Sequence, residues 1–243
     1  MKLYAIGDLH LDGGALKPMN VFGDQWTDHF AKISRDWRAR VTGDDLVLIP
    51  GDISWAMQLE DALPDLNSID ALPGRKVILR GNHDYWWSGI GRLRSVLPPN
   101  MSAIQNDALR VGPYTIAGSR GWLLPGPDTT AEDARIYQRE LARLALSLDC
   151  ARKLGGTLVV MTHYPPVGER GQPTEVSELI RSSGAVCCVY GHLHGAAGRN
   201  AFRGCLGDVR YACVSCDQLG FALHDLALED PVGEDARKVE SET

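Results

Sequence analysis

Five short runs rich in β-branched and aromatic residues, each ending abruptly in metal-capable side chains, constrain this 243-residue chain more than any other feature. Residues 2–6 lead into Gly7-Asp8-Leu9-His10, 46–49 into Gly51-Asp52, and 76–79 into Gly81-Asn82-His83-Asp84. Residues 158–161 lead into Thr162-His163-Tyr164-Pro165-Pro166, and 186–190 into Gly191-His192-Leu193-His194. Such apolar runs read as strands buried on both faces. Between them, Trp26, Phe30, Ile33 and Trp37, and again Ile136, Leu141, Leu144, Leu148 and Ala151, recur at helical spacing. Alternating strand and helix makes the fold class α/β.

The remaining segments predict antiparallel additions. Residues 108–111 and 114–117 flank the turn Gly112-Pro113, and residues 202–206, 209–215 and 220–224 form strand-like pieces separated by Gly-Asp and Asp-Gln turns. Two mixed sheets are expected, in a single domain over residues 1–230. Residues 231–243 are charged and aperiodic, which predicts a frayed tail. The segment 120–133, with Gly121, Pro125, Gly126 and Pro127 around Trp122, reads as an ordered loop.

Open α/β sheets carry ligand sites at the carboxyl ends of their strands, so five strands ending this way define one pocket. Its nitrogen and oxygen candidates are Asp8, His10, Asp52, Asn82, His163, His192 and His194, and five of the chain's seven histidines fall in these clusters. Each cluster taken singly has a bland reading: a Gly-Asp after a strand is commonly a turn or helix cap. In Asp8-Leu9-His10 and His192-Leu193-His194, an extended backbone points both candidates to one face and the leucine into the core. The preceding glycines allow either positive φ or close backbone approach. A mixture of carboxylate, imidazole and amide oxygen suits manganese, iron, zinc or similar ions with positions left for water, whereas structural zinc favours thiolates. Asp52 can bridge two such ions through its two oxygens, and ions roughly 4 Å apart can clamp an in-line displacement.

Composition narrows the partners. A net charge of −6 with scattered basic residues argues against a long phosphate backbone as partner and leaves small anionic substrates. The opening residues lack an export signal and no apolar stretch approaches membrane-spanning length, so a cytoplasmic protein is expected. The six cysteines, at 150, 187, 188, 205, 213 and 216, are then thiols; Cys213-x-x-Cys216 lacks a second metal-spaced pair and is read as structural.

In this order, D-x-H, G-D, G-N-H-D, H and G-H-x-H resemble the calcineurin-like metallophosphoesterase superfamily over nearly the whole chain. The resemblance implies a four-layer αββα sandwich of two mixed sheets flanked by helices. It implies one metal on Asp8, His10, Asp52 and His194, and another on Asp52, Asn82, His163 and His192. His83 is implied to be a general acid rather than a ligand, with Asp84 orienting its imidazole. The implied activity is hydrolysis of phosphate monoesters or diesters by a metal-bridging water or hydroxide, with two divalent ions, manganese first and iron, zinc or nickel as alternatives. The stretches Gly51-Asp52-Ile53-Ser54-Trp55-Ala56-Met57, Tyr85-Trp86-Trp87 and Ser119-Arg120-Gly121-Trp122 look like a bacterial group of phosphohydrolases. Arg120 and Trp122 are the substrate-binding candidates, since a guanidinium pairs bidentately with phosphate.

Two rivals stand beside this reading. Asp8-Leu9-His10-Leu11 also looks like the opening of the superfamily's manganese-dependent nucleases, although those are usually longer and carry DNA-binding additions. A non-catalytic scaffold, like the retromer subunit that keeps the fold, is the rival from another class, but such members typically lose the acid or some ligands.

Overall fold

The computed structural model describes residues 1–13 and 19–228; the expected tail at 231–243 lies outside them. The five runs each form a strand, and every one pairs parallel with at least one neighbour. In the first sheet β1 (Leu3–Ala5), β2 (Leu46–Ile49), β3 (Arg75–Ile78) and β4 (Met101–Ala103) run parallel in that order. In the second, β5 (Ala108–Val111) and β6 (Tyr114–Ser119) form the expected hairpin, and β7 (Thr157–Thr162) and β8 (Cys187–Tyr190) continue parallel to β6.

The alternation of side chains along each strand builds the layers. Tyr4, Val47, Ile49 and Ile78 point outward to α1 (His29–Arg40), α2 (Leu59–Asp70) and α3 (Ile90–Val96), which contribute Ile33, Trp37, Leu66 and Leu93. Leu3, Ala5, Leu48 and Val77 point the other way, against Ile116, Val159, Met161 and Val189 of the second sheet. On that sheet's outer face Val160, Cys188 and Tyr190 meet Tyr137, Leu144 and Leu148 of α4 (Ala131–Leu154) and Ile180 of α5 (Glu175–Ser182). The result is helix, sheet, sheet, helix, with the two mixed sheets that the sequence led one to expect.

Several boundaries differ from expectation for identifiable reasons. Trp26 is not on α1: Asp28, with φ 51°, breaks the chain before the helix, and Trp26 ends a short 3-10 turn. Helix α2 escaped the periodicity because Pro64, which removes a donor and crowds the preceding turn, lies in its middle. Helix α4 reaches back to Ala131, where Thr130 accepts a hydrogen bond from the Asp133 N–H at 3.0 Å, so the loop is shorter than 120–133. The expected antiparallel meander is overturned at two places. Strand β10 (Val209–Cys213) pairs antiparallel with β9 (Gly204–Leu206) but parallel with β8. Residues 220–224 are not a strand, because Gly220 and Phe221, with φ 63° and 61°, turn the chain, and only β11 (His224–Asp225) follows, pairing with β1 of the other sheet. The cysteines are free, and the buried Cys216 thiol donates to the Asp8 carbonyl at 3.0 Å, which accounts for the C-x-x-C as structural.

One charged group is enclosed far from the strand ends. Lys76 of β3 is 1% exposed; its Nζ donates to the carbonyl of Asp70 at 3.0 Å and to that of Leu72, where the C-terminal end of α2 leaves carbonyls open. Burial pushes this amine down to about 8, against the pull of Asp70, and a neutral amine still has two N–H groups for two carbonyls. Between pH 8 and 10.5 the unfolded chain therefore holds a proton that the folded chain has released, and stability rises with pH by at most about 3 kcal/mol. Urea unfolding at both ends of that window should show the increment in the wild type and not in Lys76→Met; equal increments would refute the shift.

Candidate metal centre

The carboxyl ends of β1, β2 and β3 in one sheet and of β7 and β8 in the other meet at a single edge. There the Gly7 N–H donates to the Val214 carbonyl at 2.7 Å, a hydrogen bond from one sheet to the other. Two more, from Asp8 N–H to Gly51 carbonyl and from His10 N–H to Asp52 carbonyl, both at 3.0 Å, lace the first and second loops together.

The local backbone corrects one expectation. Asp8 and His10 do not converge through an extended segment: their φ values are 57° and 45°, and Asp52 (52°) and His192 (72°) are left-handed as well. Such conformations cost free energy in residues with a Cβ and persist only where surroundings impose them. Leu9, at 0% exposure, does enter the core as foreseen. Of the preceding glycines, Gly51 has φ 97°, whereas Gly81 and Gly191 are required by proximity. A Cβ on Gly81 would lie 2.1 Å from Asp52 Oδ1, and one on Gly191 2.4 Å from Asp8 Oδ2.

All seven candidate ligand residues come together. Asp52 Oδ2 lies 3.8 Å from His10 Nε2 and 3.5 Å from His163 Nε2. His194 Nε2 is 3.3 Å from His10 Nε2 and 3.6 Å from Asp8 Oδ1. Asn82 Oδ1 stands 2.7 Å from His163 Nε2 and 2.8 Å from His192 Nδ1. Two overlapping groups, Asp8–His10–His194 and Asp8–Asp52–His163, each hold their ligand atoms within 4.8 Å of one another. Oxygen and imidazole donors so arranged fit divalent ions with positions left over for water.

The electrostatics point the same way. Burial pushes the imidazoles of His10 and His163 down to about 3 and that of His192 to about 4, which leaves them neutral with a lone pair to offer. Burial, then the charges of Asp84 and Asp8, push Asp52 up to about 9. Burial also opposes charge on Asp8, but the His194 hydrogen bond and the nearby imidazoles outweigh it and hold its carboxyl below the ordinary range. At His194 burial is outweighed by hydrogen bonds to Asp217 and Asp8, which push the imidazole up to about 10. A carboxylate cluster this poor in countercharge is built for cations.

Around the cluster, His83 stacks obliquely on Trp55 with centroids 4.5 Å apart, and its backbone N–H donates to Asp52 Oδ1 at 2.8 Å. Trp55 also stacks on His10 at 4.9 Å, while Trp86 and Trp87 are core residues. His83, His10 and His194 share a cavity of about 330 Å³ with Trp26, Trp55 and Phe22. Arg120 and Trp122 are not at the centre. The Arg120 guanidinium faces Glu140 at 3.6 Å and lies over the Trp122 ring at 4.6 Å. Trp122 in turn packs on Tyr164, whose ring is 4.1 Å from that of His192. Asp217, which sequence reasoning missed, accepts from or pairs with His194 Nδ1 at 2.9 Å and accepts the Gly195 N–H at 3.0 Å. In the sequence Asp217-Gln218 carries only the signature of a turn.

With this geometry in view the comparisons are consistent. Residues 1–196 match the calcineurin-like phosphoesterase family, and the chain belongs to it. It is a metallophosphoesterase, a metal-dependent hydrolase of phosphoric esters. The matched span runs past His194 and so takes in every strand-end cluster. A relative, the gene 66 protein of Mycobacterium phage L5, is 29% identical over 189 residues, 77% of this chain and 74% of its own length. Among solved structures, phosphopantetheinyl hydrolase (PptH) from Mycobacterium tuberculosis is similar in fold, with a TM-score of 0.58 and 16% identity over 94% of this chain and 96% of its own. Among the described residues no helix is long and apolar enough to cross a membrane.

Beneath the candidate ligands lies Asp84, 0% exposed. One of its oxygens accepts the N–H groups of Asp52 (2.9 Å) and Gly81 (2.7 Å); the other accepts those of Ile53 (2.8 Å), Ser54 (3.3 Å) and the Trp86 indole (3.0 Å). Burial raises its pKa against these hydrogen bonds. An amide has one acceptor oxygen, so Asp84→Asn sets its NH₂ against N–H donors. We expect a loss of about 2–4 kcal/mol in denaturant unfolding; an unchanged midpoint and slope would mean that the loops hold their shape without the carboxylate.

Proposed function

We propose that this metallophosphoesterase acts on small phosphate esters, as a phosphodiesterase or phosphomonoesterase, with two divalent cations at the strand ends. Asp8, His10, Asp52 and His194 would hold one, and Asp52, Asn82, His163 and His192 the other. The observation that carries this reading is the Asp52 carboxylate, whose Oδ2 lies at comparable distances from His10 Nε2 (3.8 Å) and His163 Nε2 (3.5 Å). Hard oxygens beside borderline imidazoles favour manganese, with iron, zinc or nickel as alternatives. What these cations supply, when bound, is a nucleophile drawn from water at neutral pH and positive charge against the phosphoryl oxygens.

The chain's own residues do the rest. His83 stands where the aromatic cavity opens on the cluster, gives a proton to the departing oxygen and recovers one from solvent. Its backbone hydrogen bond to Asp52 fixes the acid relative to the centre. Trp55, packed on both His83 and His10, keeps water from one side of the reacting group. Asp84 is a positioning residue, since its oxygens shape the loop that carries Asp52 and the turn that carries His83. A cavity of about 330 Å³ and a net charge of −6 favour a small substrate over a polynucleotide.

The test separates acid from ligands. Wild-type protein should bind two Mn²⁺ per chain by calorimetry, and Asp52→Asn should bind fewer and lose most activity. His83→Asn should keep both sites yet lose about 100-fold or more in kcat with an alkyl phosphate ester, and much less with a nitrophenyl ester whose leaving group needs no proton. Uniform losses on both esters would remove His83 from the acid role, and full activity in Asp52→Asn with metal bound would sink the bridging assignment. Salt-sensitive DNA cleavage with manganese would move the reading to a nuclease.

A further inference from the structure

Three arginines surround one carboxylate in a cavity that the reading above leaves unused. About 90 Å³ in volume, it is lined by Arg80, Arg120, Arg143 and Glu140, with Ser119 and Gln105 among its neutral groups. Glu140, 4% exposed, accepts from Arg143 at 2.6 Å and faces Arg120 at 3.6 Å. Arginine stays charged in proteins, so three positive charges meet one negative. Burial and the charges of Arg80 and Arg143 lower the pKa of Arg120, against the pull of Glu140. The Nε–H groups of Arg80 and Arg120 are buried and find no hydrogen-bond acceptor among the described residues. Unmet donors on buried guanidinium groups are costly, and two of them meet in this one cavity.

From this arrangement we infer that the Arg80–Arg120–Arg143 cavity is a second anion site, taking one phosphate group. Its volume is about three times the share of one water in the liquid, which is room for a single tetrahedral oxyanion. Guanidinium forks match phosphate oxygens, and the two open Nε–H groups are the donors such an ion would use. The Gln105 amide oxygen accepts from the Trp87 indole N–H at 2.8 Å, so the end of that side chain left to interact is a donor. The site adjoins the metal centre along the chain: Arg80 precedes Gly81-Asn82, and the Arg120 carbonyl accepts the N–H groups of His163 and Tyr164, both at 3.0 Å. The occupant is either a second phosphate carried by a substrate or free inorganic phosphate.

The site itself does not depend on the hydrolase reading; only the choice between these two sources does. Full-length protein stripped of metal by a chelator is therefore titrated with inorganic phosphate by calorimetry. One site in the millimolar range is expected, weakened about tenfold or more in Arg80→Gln and in Arg143→Gln, as the loss of a charge-assisted pair predicts. Arg80 makes no ion pair with Glu140, so its variant should keep the wild-type unfolding midpoint. Absence of phosphate binding, or binding indifferent to both substitutions, overturns the proposal. With manganese restored, the ratio of kcat/KM for a nitrophenyl ester bearing a second phosphate to that for nitrophenyl phosphate identifies the source. A tenfold fall of this ratio in Arg80→Gln assigns the site to the substrate, and a constant ratio with phosphate binding lost assigns it to free phosphate.

Discussion

The burial of three carboxylates, Asp8, Asp52 and Asp84, at one edge of a sandwich is the constraint to which the surrounding structure answers. Charges so close in a medium of low dielectric repel by many times what they would in water, and each is answered differently. Asp84 takes five N–H donors and becomes part of the backbone's own hydrogen bonding. Asp8 takes the His192 N–H on both oxygens and the influence of His194. Asp52 receives one N–H, from His83, and faces the neutral imidazoles of His10 and His163, and burial with the charges of Asp84 and Asp8 outweighs the pull of His194. The countercharge within the chain falls short of what it needs, which leaves a place for a cation and ties the fold to the chemistry.

Parallel pairing makes that concentration possible. Strands that run the same way release their chains at the same edge, and the two sheets, joined there through Gly7 and Val214, bring those loops face to face. The left-handed backbone at Asp8, His10, Asp52 and His192 then turns the side chains inward soon after the strands end. Local strain of this sort is sustained by the hydrogen bonds that lace one loop to the next, so the precision of the centre rests on the packing of the sheets.

Much of this could be read from residue order because the chemistry is discrete: Asp8, His10, Asp52, Asn82, His163, His192 and His194 follow apolar runs too regular to be coil. The layers were legible for the same reason, since period-two burial marks strands such as residues 46–49 and period 3.6 marks α4. What was not legible arises where tertiary contact overrules local pattern. Helix α2 hides behind Pro64, and residues 220–224 look like a strand until Gly220 and Phe221 take positive φ. The inward turn of Asp8 and His10 looks extended from spacing alone. Asp217 and Arg80 have no signature, because one acts through His194 from a distant turn and the other through a cavity that only folding creates.

The candidate donors come from both sheets: Asp8, His10, Asp52 and Asn82 follow strands of one, and His163, His192 and His194 follow strands of the other. Any cation gripped between them is thus a rivet through the sandwich as well as a reagent. Since binding to the native state alone adds RT ln(1 + [L]/Kd) to its free energy, resistance to heat and proteases becomes a gauge of free cation around the molecule. A cell short of that ion would lose the protein as well as its turnover.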